Sequence, residues 1–412
     1  MGRIVTRSQS LKLSNKCSTH NDDSDSNSNS SKRCKVISNV LLPQDLMLHI
    51  LNFVSLKCLV NSARYVCKPW ATTIRTSQFA QACLTNSKPG LYVENCGSES
   101  RSYFLDIKNC VNGQFEFERT DLGTPSKLGR IVTSCNGILL LLHRSLMEAQ
   151  TFLVNPIIKC WLRIPPLPMS RKRFQLGVQF ALVCVPHTAK FKLFYIDILE
   201  VSGVFSYVFY VLTIGIDSSW KEIDRKEAPR DWHNLWKPLY DGGNYLYWIS
   251  AQYGITVVDV DKEITVRKFS LPPVSMDPHP IAEFLWMGNL LSCIVCEYED
   301  DHYKTFQIYI LDFDSEKWSL YHEMGPFDYV AVCGQELNIT VLAFRYWICD
   351  QIIFRVAILP MREENLPAGR CTMHFSYNVK TRKVTKIESI AMADHEVWLH
   401  TNSLISLPST PT

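Results

Sequence analysis

The chain has 412 residues, of which 46% are hydrophobic and 20% are charged, and its formal net charge is +3 at pH 7. This length accommodates more than one domain with a substantial core, and the composition is that of a globular protein. A net charge this small does not indicate a basic binding surface, so neither a nucleic acid nor a membrane is expected as a partner.

The 15 cysteines are odd in number, and most of them are scattered singly along the chain. A secreted disulfide scaffold is short and contains many cysteines, in an even number. The pattern of this sequence therefore favours a reducing compartment. Cys293 and Cys296 form a Cys-x-x-Cys pair in an apolar stretch with no second pair near them, whereas a structural zinc ion needs four ligands. We therefore expect buried thiols in a strand, and neither a metal nor another cofactor.

The first residues are polar, with Arg3 and Arg7 instead of the apolar core of a secretory signal. The uncharged run 201–216 is shorter than the ~20 apolar residues of a spanning helix, and its Val, Tyr, Phe and Ile suit a strand. Residues 1–38 are predicted to be disordered because their polar tract buries too little apolar area. The basic group Lys32 to Lys35 fits either a nuclear import signal or a solvated flank. We expect the protein in the nucleus, the cytoplasm or both.

Residues 39–86 predict three to four short helices. Leu46, Ile50 and Val54 recur at helical spacing, and Pro43 suits the first turn of the helix that carries them. Pro69 is predicted to end the second helix. A helical unit this short buries too little to be stable alone, so another protein or the rest of the chain must cover part of its apolar surface.

The order of apolar residues in this unit resembles the F-box. In that family a Leu-Pro-x-Asp/Glu-Leu motif precedes an Ile-Leu pair, a Leu, a Val-Cys-Lys-x-Trp motif, an Ile and a closing Phe. The matching positions here are Leu42, Pro43, Asp45, Leu46, Ile50, Leu51, Leu59, Val66, Cys67, Lys68, Trp70, Ile74 and Phe79. Ser55 departs from the pattern, because many members have a proline there.

The resemblance implies a Skp-type adaptor as partner and, through it, a cullin scaffold. The positions implied to form the adaptor-binding unit are Leu42, Pro43, Leu46, Ile50, Leu51, Leu59, Val66, Cys67 and Trp70. The sequence does not separate those that face the adaptor from those that hold the helices together.

Residues 87–400 predict an all-β domain, because short apolar runs alternate with polar turns. A unit of strand, Asn or Asp turn and aromatic or aliphatic anchor recurs at intervals of roughly 40–65 residues, comparable to the ~40–50 residues of a propeller blade. Five segments resemble the F-box-associated, kelch-related domain of plant F-box proteins: 134–142, 155–168, 218–224, 242–250 and 255–273.

This second resemblance implies a kelch-like β-propeller. The match weakens past Pro326, which leaves the number of blades and their closure open. The predicted fold is therefore a multidomain α+β chain: a short all-α F-box, a β-propeller over 87–400 and a C-terminal tail over 401–412.

No common catalytic motif occurs in the sequence, neither a P-loop nor H-E-x-x-H nor G-x-S-x-G. Asp300, Asp301 and His302 lie between two predicted strands and are interpreted as a solvated hairpin loop. We therefore predict a protein that is not an enzyme.

The segment 225–238 is a candidate substrate-binding loop. Arg230, Trp232, His233 and Trp236 would form a plausible hot spot, since Trp and Arg are enriched at such sites. The alternative is that both indoles pack against a neighbouring blade.

The function expected from these observations is that of a substrate receptor in a Skp–cullin–F-box ubiquitin ligase, with an unknown protein as substrate. Two alternatives stay open. One is an F-box-containing propeller that binds partners without ubiquitination, and the other is a propeller enzyme with a site built from distant loops.

Overall fold

The structure is a computed structural model that describes most of the chain past Leu42. The described residues are 43–95, 102–111, 114–121, 128–144, 149–168, 179–228, 235–273, 282–299, 303–327, 329–333, 339–358, 371–391 and 395–408. The predicted disordered segment, Leu42, Arg230, Trp232 and His233 lie outside these ranges.

Four helices form the first described unit: Gln44–Asn52 (α1), Leu56–Asn61 (α2), Lys68–Ile74 (α3) and Ser77–Asn86 (α4), with a 3₁₀ turn at Ala63–Tyr65. Ser55 is the N-cap of α2, because its hydroxyl accepts a hydrogen bond from the Cys58 amide at 3.4 Å. A capping serine therefore stands where many F-boxes have proline. Pro69 lies in the first turn of α3, so it begins a helix rather than ending the one before it.

The remaining described residues form six antiparallel sheets of four strands each, as predicted for a propeller. The first three blades contain Gly90–Asn95 (β1), Tyr103–Val111 (β2), Gln114–Asp121 (β3), Arg130–Cys135 (β4), Ile138–Arg144 (β5), Ala149–Asn155 (β6), Cys160–Arg163 (β7), Gln179–Val185 (β8), Lys190–Val201 (β9), Val204–Thr213 (β10) and Lys221–Ala228 (β11).

Blades 4 to 6 complete the ring. They contain Leu239–Tyr240 (β12), Tyr245–Ser250 (β13), Gly254–Asp259 (β14), Ile264–Phe269 (β15), Ala282–Met287 (β16), Leu290–Glu299 (β17), Tyr303–Asp312 (β18), Lys317–Met324 (β19), Ile339–Ile348 (β20), Gln351–Ile358 (β21), Cys371–Asn378 (β22) and Lys383–Lys386 (β23). A short helix, Tyr329–Cys333 (α5), lies between β19 and β20.

The ring is closed by the last strand, His395–His400 (β24), which belongs to blade 1. It pairs with β1 along its whole length, from Gly90 opposite His400 to Asn95 opposite His395. The first strands of the blades, β24, β4, β8, β12, β16 and β20, follow one another around the ring and so surround the central channel. We call them the inner strands.

The core consists of apolar clusters between neighbouring blades, one at each of the six interfaces. The β5 sequence shows why these strands are apolar on both faces. Leu140 and Leu142 face blade 3, whereas Leu139 and Leu141 face blade 1. Because side chains alternate across a strand, a blade covered on both sides needs an uninterrupted apolar run.

Residues 401–408 follow β24 and cross the end of the propeller as a strap. The buried Asn155 amide donates hydrogen bonds to the carbonyls of Ser403 at 3.1 Å and Ile405 at 2.8 Å. Gly137, with φ +82°, fits under the strap, because a Cβ there would collide with Ser403. Leu404 is buried in the helical core. The strap thus connects the propeller to the helices.

Candidate functional site

Helix α1 carries apolar residues on two faces, and the described residues cover only one of these faces. Met47 and Leu51 are buried, and Leu51 has no exposed surface at all. Leu46, Ile50 and Phe53 follow the i, i+4, i+7 spacing of a single helix face, and Phe53 is 80% exposed. An exposed helix face of this kind favours a docking surface.

A second exposed group lies where the 3₁₀ turn leads into α3. Tyr65 and Val66 are 69% and 64% exposed, and the neighbouring Cys67 is also exposed. The Arg64 guanidinium donates a hydrogen bond to the Tyr65 hydroxyl. Leu46, Ile50, Phe53, Tyr65 and Val66 together are named the exposed apolar set.

The other side of the helical unit packs on the propeller. Its buried residues contact Leu404 of the strap, and Ile157 and Ile158 from the turn between β6 and β7 pack against the same cluster. The described residues therefore cover one part of the unit's apolar surface and leave the exposed apolar set accessible.

The positions implied to form the adaptor-binding unit fall into a buried group and an exposed group. Leu51 and Leu59 are buried, and Trp70 is half-buried, so they hold the helices together. Pro43, Leu46, Ile50, Val66 and Cys67 are exposed. The sequence pattern did not single out Phe53 or Tyr65. Phe53 continues the spacing of Leu46 and Ile50, and that periodicity could have identified it.

Trp236 of the candidate substrate-binding loop lies between blades 4 and 5. Its indole N–H donates a hydrogen bond to the Ala282 carbonyl at 2.8 Å, and its ring meets the Phe284 ring edge-on at 5.3 Å between centroids. Trp236 therefore packs against a neighbouring blade, which is the second of the two interpretations given for this segment. The other three residues of that site lie outside the described ranges.

The described residues contain no group of three or more His, Cys, Asp or Glu side chains placed to hold a metal ion. Cys293 and Cys296 are both buried in β17, but they face different blade interfaces. The two thiols therefore do not point at a common metal ion. Burial raises the pKa of the Cys293 thiol, which keeps it protonated. Across the described helices, none combines the length and apolarity needed to cross a membrane.

Comparison with solved structures finds matches of low sequence identity and low TM-score. The propeller domain of the Trilobed protease from Pyrococcus furiosus is 14% identical, with a TM-score of 0.34 over 65% of this chain and 73% of that one. A putative 6-phosphogluconolactonase from Bacteroides fragilis is 13% identical, with a TM-score of 0.33 over 76% and 98%. The GH74 xyloglucanase from Xanthomonas campestris is 11% identical, with a TM-score of 0.37 over 75% and 44%. No curated protein matches the chain.

Two family models match the chain itself. The F-box domain matches residues 40–81, which contain α1, α2, α3 and the first half of α4. The KIB1-4 beta-propeller matches residues 105–348, which is more than half of the chain. The chain therefore carries an F-box and belongs to the KIB1-4 beta-propeller family.

Proposed function

We propose that this protein is the substrate-recognition subunit of a Skp–cullin–F-box ubiquitin ligase. The observation that carries the proposal is the exposed apolar set on an F-box whose other face is already packed against a closed propeller. F-box domains bind Skp-type adaptors, which link to cullins.

The adaptor would cover the exposed apolar set. Phe53 and Tyr65 supply large rings at low entropy cost, as binding hot spots commonly do. Because these side chains already lie in water, their burial by the adaptor is a net gain of apolar contact.

The propeller would hold the substrate at a fixed position relative to the adaptor. The helices pack near the strap and the β6–β7 turn, where β24 ends. The Ser134 hydroxyl contacts His400 Nδ1 at 2.9 Å, so β4 ends at the same face. The opposite face, where the inner strands begin, would then be free for a substrate. The protein would do no bond chemistry itself and would raise the substrate's effective concentration near a ubiquitin-charged enzyme.

An alternative is that the F-box binds the adaptor for a role other than ubiquitination. Kelch-relatedness and a plant origin are further parts of the proposal, based on the sequence resemblance. A location in the nucleus, the cytoplasm or both is another part, based on the cysteine pattern and the basic group Lys32 to Lys35.

The proposal is tested by passing a purified Skp-type adaptor and a cullin over immobilised full-length chain. We expect the cullin to be retained when the adaptor is present and to pass through when it is absent. Retention of the adaptor without the cullin would favour the alternative function, and retention of neither by the folded chain would refute the F-box assignment of function.

The matched variants are chosen to preserve the fold. Ile50→Asp/Phe53→Asp places charges in the exposed apolar set and should abolish retention of both partners. Ile264→Asp/Leu320→Asp makes the same change at exposed positions of β15 and β19 and should leave retention intact. Deletion of the F-box is unsuitable, because it would uncover Leu404 and Ile157.

A further inference from the structure

The inner strands begin at one end of the channel, and hydrogen bonds between blades hold these beginnings together. Glu94 lies opposite Glu396 in the β1–β24 strand pair, at the start of β24. Its carboxyl group accepts a hydrogen bond from the Ile131 amide near the start of β4 at 2.9 Å. Trp236, just before β12, bonds to Ala282 at the start of β16. This end of the channel lies opposite the face that carries the helices.

Charged side chains from four different blades interact electrostatically near this end. Lys237 precedes β12, Glu283 lies on β16, Arg345 lies on β20 and Glu396 lies on β24. Glu396 forms an ion pair with Arg345 at 3.4 Å and a second one with Arg355 of β21. These five residues are named the channel cluster.

Among the described residues, Glu283 forms no ion pair, and neither does Lys237. Its ammonium group lies 4.5 Å from the centroid of the Trp398 ring, a cation–π contact, and its side chain reaches solvent. Although part of the side chain is exposed, desolvation of the ammonium group among the surrounding side chains, followed by the nearby Arg345 charge, lowers the pKa of Lys237 to about 8. The indole N–H of Trp398 in turn donates to Glu94 at 3.3 Å, which fixes the ring under the ammonium group.

The cluster has more positive than negative charge. Its three cations face two carboxylates, one of which, Glu396, already serves both guanidinium groups. Glu94, opposite Glu396 in the β1–β24 pair, is a third carboxyl group nearby, and burial raises its pKa to about 7. Burial raises the pKa of Glu283 above its ordinary value. The buried Nε of Arg345 has no hydrogen-bond partner among the described residues. A group that brings negative charge and hydrogen-bond acceptors therefore fits these donors.

We propose that this end of the channel binds an oxyanion, a phosphate or carboxylate group, between the Lys237 ammonium and the Arg345 guanidinium. Such a group would accept hydrogen bonds from both cations, and charge-assisted bonds of this kind are the strong ones. The group belongs either to a small molecule or to a modified or acidic side chain of a bound protein. The site goes beyond the adaptor-binding function and does not depend on it.

Calorimetric titration of the full-length chain with inorganic phosphate, at ionic strength held constant with chloride, tests the site. We expect Lys237→Gln to weaken phosphate binding by about tenfold or more, since one charge-assisted hydrogen bond is lost. Lys268→Gln removes the same charge from an exposed position on β15 of the same blade and should leave the affinity unchanged. Glu283→Gln should strengthen binding, because it removes a repulsive carboxylate.

Two results would overturn the proposal. One is the absence of phosphate binding by the wild type at millimolar concentrations, and the other is equal binding by wild type and Lys237→Gln. Titration with N-acetylphosphoserine methylamide and N-acetylaspartate methylamide identifies the source of the group. Tighter binding of either one than of inorganic phosphate assigns the group to a protein side chain, and weaker binding of both assigns it to a small molecule.

Discussion

The F-box and the propeller use apolar side chains differently. In the propeller, a strand such as β5 buries successive leucines on both faces, because each blade is covered by two neighbours and β24 closes the ring. The F-box has the strap and one turn of blade 2 on one side, whereas on the other side Phe53 contacts the His49 ring and remains 80% exposed. A closed ring buries its own apolar surface. A unit of short helices needs a partner to bury the apolar surface that the described residues leave exposed.

The largest expected effect distinguishes the two faces of α1. Leu51→Ala should destabilise the helical unit by about 2–5 kcal/mol, because it leaves a cavity in the core. Leu46→Ala, on the exposed face of the same helix, should change stability by less than about 1 kcal/mol. Amide hydrogen exchange of α1 to α4 in the full-length chain measures both. Equal loss of protection in the two variants would contradict the division of the helix.

A pH effect tests the closure of the propeller. Burial raises the pKa of Glu94 to about 7 from an ordinary value of 4.5, and Glu396 lies directly opposite it in the β1–β24 pair. The native state therefore retains a proton that the unfolded state has lost between these two pH values. Stability from this group is present at low pH and falls by about 2–4 kcal/mol as the pH rises through that window.

The comparison of wild type with Glu94→Gln isolates this contribution. We expect the difference in unfolding free energy, wild type minus variant, to be larger at pH 5 than at pH 8. Glu323→Gln, at an exposed position of β19, should show no such change. A pH-independent difference for Glu94→Gln would mean that Glu94 ionises normally in the closed ring.

A smaller effect is expected at the strap that joins the two regions. Asn155→Ala removes the hydrogen bonds that the amide donates to the Ser403 carbonyl, the Ser403 hydroxyl and the Ile405 carbonyl. It also removes those that the amide oxygen accepts from the backbone N–H groups of Ile157 at 2.9 Å and Ile158 at 3.4 Å. The loss should cost about 1–3 kcal/mol and increase hydrogen exchange in residues 401–408. Asn378→Ala removes a similar turn bond, to the Thr381 amide at 2.8 Å, in blade 6 away from the strap. Equal exchange in the strap of both variants would show that Asn155 does not hold it.

The sequence was sufficient for the helices, the F-box pattern and a propeller-type β domain, because periodicity and turn residues are local signals. It did not show which residues of α1 are covered. Leu46 and Leu51 are both apolar at helical spacing, but Leu51 is buried in a cluster that the other helices form together with Leu404, which is far away in the chain. Blade number was open for the same reason, since closure depends on pairing between β1 and β24. The channel cluster was missed because its members are isolated in sequence and meet only in the ring.

The central claim is that the exposed apolar set is the adaptor-binding surface. Its most direct test is the affinity of purified Skp-type adaptor for the full-length chain, measured by calorimetry for wild type, Ile50→Ala/Phe53→Ala and the control Ile264→Ala/Leu320→Ala. We predict that the first variant binds at least about thirtyfold more weakly, the equivalent of about 2 kcal/mol, with unchanged thermal stability. The control should bind like wild type. Equal affinity of all three proteins would contradict the account.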